Sequence, residues 1–363
     1  MPARGLDASA VAMEKAFRML KNLRALEIFK TYITPGMWAH LGGSIHLRRL
    51  SFQPAYVSPE VEDECFEGSR LEELRLKNAE NGSSIPDQAF MLMYLESLKT
   101  IRIDVWLLTG AGNFLEEEGS PNDNLKTLDI FSEGTSLRME NEYFAAMEEV
   151  LGQYPGIVNL STPDTMDVRP VQTLPDDVAT SLKSFHGRPT NVGLFCQHMA
   201  LESLSLSAVA AFPLKEEHLT AGPFQLRSLS LHGVGWEDRA LGLIEQHCPQ
   251  LEELKVYAFT MTKMNETDIP SLPNLKSVAL MCRHTPDGSW LEVKAPSSSG
   301  WRDNEQRMIE QMWAPKLPQL TQARFNNVFS WKHFGHADGW GCVEGRDLDV
   351  TLVRGEFKRQ RQL

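Results

Sequence analysis

The chain has 363 residues, 42 % hydrophobic and 23 % charged, the balance of a folded protein, which excludes wholesale disorder. Its net charge of −12 offers no basic field to displace counterions from a phosphate backbone, so a nucleic acid is not the expected partner. No apolar run approaches the ~18 residues of a membrane span and no signal-type apolar core follows Met1, so neither a membrane nor secretion is expected.

In chain order, Met13, Ala16, Phe17 and Leu20 recur at helical spacing and predict a first helix. A six-residue pattern, Leu-x-x-Leu-x-Leu/Ile/Val, then begins at Leu23-x-x-Leu26-x-Ile28. It returns as Leu47-x-x-Leu50-x-Phe52, Leu71-x-x-Leu74-x-Leu76, Leu98-x-x-Ile101-x-Ile103 and Leu125-x-x-Leu128-x-Ile130. Tyr143, Ala146, Met147, Val150 and Leu151 predict another helix, after which the pattern fades to Ile157-x-x-Leu160 and Leu182-x-x-Phe185. It resumes as Leu201-x-x-Leu204-x-Leu206 and Leu226-x-x-Leu229-x-Leu231. After a helical stretch at Trp236, Ala240, Leu243 and Ile244 come Leu251-x-x-Leu254-x-Val256, Leu275-x-x-Val278-x-Leu280 and Leu320-x-x-Ala323-x-Phe325.

Successive starts differ by 24, 24, 27 and 27 residues before the fade, and by 25, 25 and 24 after it. A near-constant interval of this size marks a leucine-rich repeat, with one short strand per coil closed by a helix or irregular arm. The predicted fold class is therefore α/β, a leucine-rich-repeat solenoid. Its curved parallel sheet of short strands would carry helices or irregular arms on the convex side. Pro155, Pro249, Pro273 and Pro318 each stand two residues before a repeat's first apolar position, where proline ends a helix and favours extended backbone.

The expected domains are a solenoid of about twelve repeats over 1–330, with an insertion near 284–316, and a C-terminal cap over 331–363. The insertion holds the flexible stretch Lys294–Gly300, and Asp303-x-x-Gln306 reads as a capping box for a helix through Met308, Ile309 and Met312. Ser161–Thr165 with Arg169-Pro170 reads as a loop. Asp347–Val353 reads as a closing strand, with Phe329, Trp331, Phe334 and Trp340 filling the cap that a last coil needs.

Within one repeat the side chains of the strand alternate, so the fourth and sixth positions point into the core and the third, fifth and seventh point out. The outward rows then include Arg49, Arg75 and Arg102 as a column in adjacent coils, with Asp129 beyond. In the C-terminal half they form a serine tract containing Ser205 and Ser230, edged by His232, Lys255 and Tyr257. Arginine and aromatic residues are favoured interface anchors, and small hydroxyls let a partner's backbone come close, so this concave face is the expected site for a protein ligand.

Nothing in the sequence assembles a catalytic centre, and no enzyme, cofactor or metal is expected. Thr109–Asn113 contains two glycines but has no phosphate-loop spacing. His333-x-x-His336 with Asp338 and Cys342 falls in a Gly- and Trp-rich cap and is not read as zinc-binding. Glu116–Glu118 reads as a solvated loop. The five cysteines, Cys65, Cys196, Cys248, Cys282 and Cys342, are odd in number and far apart, which indicates a reducing compartment, cytoplasmic or nuclear. Cys248, at a helix end before proline, reads as a buried structural thiol.

The joint His247-Cys248-Pro249-Gln250-Leu251-Glu252-Glu253-Leu254 resembles the cysteine-containing subclass of leucine-rich repeats, common in F-box substrate receptors. Leu174-Pro175-Asp176-Asp177-Val178, followed by Leu182-Lys183-Ser184-Phe185-His186-Gly187-Arg188-Pro189, is similar to a mid-array segment of the large fungal F-box/leucine-rich-repeat family. That resemblance implies the substrate-receptor part of a ubiquitin ligase, with the SCF adaptor as second partner if an F-box lies upstream. The only Leu-Pro-Asp-Asp-Val lies inside the array and reads as a loop between coils, while the first repeat already begins at Leu23. The alternative is a scaffold or inhibitor of the ribonuclease-inhibitor style, with no link to ubiquitin; on either reading a monomer is expected.

Overall fold

Proline and leucine set the entry to each coil. At Ile157, Leu251, Leu275 and Leu320 the backbone N–H donates to the carbonyl three residues earlier, on Tyr154, Cys248, Leu272 and Leu317 (3.0–3.1 Å). Proline at 155, 249, 273 and 318 is thus the second residue of a tight turn, where its fixed φ fits. The expected extended backbone at these positions is corrected accordingly. Leu47, Leu98 and Leu125 close the same turn onto Ser44, Leu95 and Asn122 without proline. At Asn122 the side chain reinforces the joint: its amide donates to the Leu95 and Leu98 carbonyls at 2.7 and 3.2 Å and accepts from the Asn124 N–H.

The computed structural model describes residues 6–20, 22–29, 31–53, 56–58, 63–78, 87–118, 122–132, 137–139, 141–164, 166–168, 174, 178, 180–197, 199–236, 239–261, 269–282, 305–325, 329–334 and 339–344. The chain divides into two compact units, Met1–Glu202 with Ala221–Phe224, and Ser203–Thr220 with Gln225–Leu363.

Among the described residues, the first unit's main sheet has seven parallel strands in chain order, beside two short parallel pairs, Tyr32–Ile33 with Tyr56–Val57 and Leu137–Met139 with Met166–Val168. The seven are β1 (Ala25–Ile28), β2 (Arg49–Phe52), β3 (Glu73–Leu76), β4 (Thr100–Asp104), β5 (Thr127–Phe131), β6 (Asn159–Ser161) and β7 (Ser184–Gly187). Their register sets Leu26, Leu50, Leu74, Ile101, Leu128, Leu160 and Phe185 side by side. All of these except half-buried Leu26 are at most 2 % exposed, and each buried Leu or Ile contributes roughly 1.5–3 kcal/mol. The ladder is the predicted leucine-rich-repeat architecture. At β6 and β7 the third apolar place is taken by buried Thr162 and by Gly187, which explains the faded pattern. The Thr162 N–H donates to the His186 carbonyl at 2.8 Å, and a Cβ on Gly187 would overlap the Thr162 hydroxyl. The segment read as a loop from Ser161 therefore starts as strand and core.

Helices close several coils. In α1 (Leu6–Met19) only Phe17 of the predicted apolar set is buried, while Met13 and the following Leu20 are exposed. Helix α2 (Pro35–Gly42) is capped by the Thr34 hydroxyl, which accepts from the Met37 N–H at 3.2 Å. It buries Trp38 against Phe52 and Phe66. The glycines of Thr109–Asn113 lie inside a helix, α3 (Leu108–Glu118), where Gly112 passes close to Ala146 of α4 (Asn141–Gln153). Glu116–Glu118, expected in a loop, end α3. Helix α4 buries Ala146, Met147, Val150 and Leu151 as predicted.

The second unit has five further parallel strands: β8 (Ser203–Pro213), β9 (Ser228–Trp236), β10 (Glu253–Met261), β11 (Ser277–Cys282) and β12 (Gln322–Arg324). Leu204, Leu229, Leu254, Val278 and Ala323 run in register and are buried. Strands β8 to β10 span eleven, nine and nine residues, so these strands are not short. Their ladder breaks after Ser207 and resumes at Phe212 opposite Val234. Trp236 ends β9, and the predicted helix begins later, as α5 (Arg239–His247), burying Ala240, Leu241 and Ile244.

Two antiparallel strands follow, β13 (Phe329–His333) and β14 (Trp340–Glu344). Trp331 and Trp340 are buried there, but Phe334 is 53 % exposed and does not fill the cap. The side chain of Phe329, the expected strand Asp347–Val353 and the stretch Lys294–Gly300 lie outside the described residues. Asp303 of the expected capping box does too. Gln306 instead donates to Glu310 Oε1 at 2.9 Å, where a helical segment runs into a π-turn at Ile309–Trp313.

Candidate recognition surface

Because Leu, Ile and Val claim the inward positions, the polar residues between them are forced onto the other face of each ladder. In the first unit the central outward row reads Glu27, Ser51, Arg75, Arg102, Asp129, Ser161 and His186. Arg75 and Arg102 are direct neighbours, as predicted. Arg49 is not in their column: it pairs with Ala25 and Glu73 in the next row, and Ser51 holds the place a third arginine would need. The arginine column thus has two members, because Arg49 lies two residues out of phase.

Each of the two arginines is already oriented. The Arg75 guanidinium lies 4.9 Å from the ring centre of Phe131, two strands away, in cation–π contact. The Arg102 Nε donates to Asp129 Oδ2 at 2.7 Å, and its Nη1 stands 4.0 Å from Glu73. Glu27 is engaged separately, accepting from Gln53 at 2.7 Å with Lys77 at 3.7 Å. These pairs are partly exposed, so each contributes at most about 1 kcal/mol to stability. Their effect is to hold two cations, one ring and one carboxylate in fixed places.

His186 belongs to this surface and was not among the residues singled out from the sequence. Burial holds its imidazole below the ordinary histidine range, against the opposite pull of Asp129 and Asp164. The signal was available: His186 is the fifth position of the faint repeat Leu182-x-x-Phe185, reached by the same counting that gives Arg75 and Arg102.

In the second unit the register brings the predicted residues into two rows. Ser205, Ser230 and Lys255 share one, and Ser207, His232 and Tyr257 the next. The His232 and Tyr257 rings stack at 4.4 Å with 11° between their planes. Ser230 Oγ lies 2.9 Å from His232 Nε2, a hydrogen bond whose direction follows the imidazole tautomer. Lys255 is 3.9 Å from Glu253.

The buried thiols have no chemistry of this kind. Burial pushes the Cys248 thiol up to about 12 and raises that of Cys196 as well, which keeps both protonated. Among the described residues no group of three or more His, Cys, Asp or Glu gathers as a metal site, and no helix is long and apolar enough to cross a membrane. His336 and Asp338 lie outside those residues, while His333 packs edge-on to Trp340 at 5.3 Å.

No protein-family model matches the chain, and no curated protein does. Among solved structures, the chain is similar to one described as the crystal structure of the TLR13–ssRNA13 complex, with 17 % identity and a TM-score of 0.38. The match covers 72 % of this chain, which spans 40 % of the length of that one.

Proposed function

We propose that the chain is a non-catalytic recognition module that holds a protein partner on the outward face of the first unit's sheet. The observation that carries this reading is the fixed cluster of Arg75 over Phe131 beside the Arg102–Asp129 pair. Arginine and aromatic side chains dominate binding energy in protein interfaces, and anchors that are already ordered lose less entropy on docking. A partner surface offering a carboxylate to Arg75 and a donor to Asp129 meets this cluster in charge.

Within the resemblance to the fungal F-box/leucine-rich-repeat family, that partner is a substrate, and the chain is the receptor arm of an SCF-type ubiquitin ligase. The support is the repeat joint at His247–Leu254. There α5 ends on His247, Cys248 is buried, and the Leu251 N–H closes the turn onto Cys248.

Two measurements test the proposal. Arg75→Glu with Arg102→Glu is expected to abolish capture of protein partners enriched by the wild type from its native lysate, with the circular dichroism spectrum unchanged and a melting transition that is lowered but still cooperative. Equal capture by the double variant dismisses the surface. Co-purification with the ligase adaptor subunit tests the ubiquitin link; its absence beside retained partner capture leaves a scaffold or inhibitor.

A further inference from the structure

We propose that the first three coils carry a docking surface for an acidic segment of a protein partner, in which Arg24, Arg49 and Arg70 receive carboxylates and Ile45 an apolar side chain. The surface emerges at the second position of each repeat, where the chain enters the sheet. There the backbone N–H of Arg48 donates to the Arg24 carbonyl, that of Glu72 to Arg48 and that of Lys99 to Glu72 (2.8–3.0 Å), so these residues stand in one column. In the second unit Arg227, Glu252 and Lys276 are joined in the same way. Their charges alternate and pair off, with Glu252 3.6 Å from Arg227 and 2.6 Å from Lys276.

At the first coils the alternation fails. Glu72 is shared by Arg48 and Lys99, 3.6 Å from each, and the neighbour of Arg24 in the column is a second arginine. Two more arginines crowd the same corner. The Arg49 N–H donates to the Arg24 carbonyl at 3.1 Å, and the Arg70 carbonyl accepts from Arg48 Nη1 at 3.3 Å. Hydrogen bonds thus join four arginines. The Arg48 guanidinium is engaged, since it also donates to the Ile45 carbonyl at 3.0 Å. Arg24, Arg49 and Arg70 are exposed, and among the described residues none of the three forms an ion pair. Like charges gathered in one corner repel, although the chain has acids to spare, 48 against 36 lysines and arginines. Uncommitted cations concentrated at one place in a chain of net charge −12 are what point to an anionic partner.

Arginine forks suit carboxylate and phosphate alike, so size and surroundings select the partner. Neighbouring strands lie ~4.8 Å apart, so three coils span roughly 10 Å. A nucleic-acid duplex carries one charge per ~1.7 Å, about six over that span, against three uncommitted guanidinium groups; so few contacts release too few counterions for binding at physiological salt. A duplex or a membrane also extends past these coils and meets the acidic excess of the chain. A short acidic segment brings only as many carboxylates as there are arginines to take them. Ile45, 59 % exposed and beside Arg48, then offers an apolar contact that a phosphate backbone leaves empty and a leucine or phenylalanine of a peptide fills.

The surface does not rest on the Arg75–Phe131 cluster, and its test keeps the two apart. The full chain is panned against a displayed library of random linear peptides, and in parallel its retention of duplex DNA and of phosphatidylserine vesicles is measured at about 0.15 M salt. Selected peptides are then titrated onto the wild type, Arg49→Glu with Arg70→Glu, the milder Arg49→Gln with Arg70→Gln, Ile45→Ser, and Arg75→Glu with Arg102→Glu. Enriched peptides are expected to combine clustered Asp or Glu with one large apolar residue. They are expected to bind about tenfold or more weakly to the Glu pair, less weakly to the Gln pair and to Ile45→Ser, and within about twofold of wild type to the Arg75 and Arg102 variant. Their affinity should also fall as salt is raised. The proposal is overturned by enrichment without acidic residues or by no enrichment. It is equally overturned by unchanged binding to both Arg49 and Arg70 variants, by an equal loss in the Arg75 and Arg102 variant, or by DNA or vesicles retained in place of peptides.

Discussion

Leu229→Ala probes the central packing claim. Leu229 is fully buried on β9, with Leu204 beside it on β8 and Leu254 on β10. Truncation removes apolar contact with both neighbouring coils and leaves a cavity that the parallel ladder cannot close, a loss of about 3 kcal/mol within the ~2–5 kcal/mol range for such changes. In a repeat array this loss falls on two coil–coil interfaces at once. For a unit of about 160 residues each kcal/mol moves the midpoint by ~2–4 °C, so the expected drop in Tm is ~6–12 °C. Thermal melting followed by circular dichroism reads it, with Ser228→Ala as the outward control, expected within about 0.5 kcal/mol of wild type. A Leu229→Ala protein melting within about a degree of wild type refutes the inward assignment. Leu229→Asp, which buries a charge with no partner, is expected not to fold at all.

Two further changes examine other parts of the scaffold. Asn122→Ala strips the Leu95 and Leu98 carbonyls of their side-chain donor and is expected to cost about 2 kcal/mol in chemical denaturation; wild-type stability would show that water serves those carbonyls equally well. Cys248, with its thiol pushed up to about 12, is about one part in ten thousand thiolate at pH 8, so a thiol reagent is expected to reach it only after unfolding. Between the unfolded thiol's ~8.5 and 12, the unfolded chain binds fewer protons than the native one, so this group's stabilisation is lost as pH rises. Melting temperatures of wild type and Cys248→Ala at pH 7 and pH 10 should show a steeper fall for the wild type, and parallel falls contradict the assignment.

The repeat interval determined the fold because it is a one-dimensional fact. Leucines at fixed spacing leave each coil one way to bury them, so their register across β1 to β5 follows from the interval alone. Where Thr162 and Gly187 replaced the third leucine the count faltered, since a hydroxyl and a hydrogen atom carry no hydrophobic signal although they fill the same place. The helix start at Trp236 was also misread, because the ladder extends past the repeat at β9. Which outward residues touch one another was a matter for the tertiary structure alone. Arg75 reaches Phe131 from two strands away, Arg49 falls out of the column by a shift of two residues, and Ser207 is buried where the ladder breaks. Sequence spacing fixes what points inward through burial energy; side-chain reach and local breaks in pairing decide what meets on the outside.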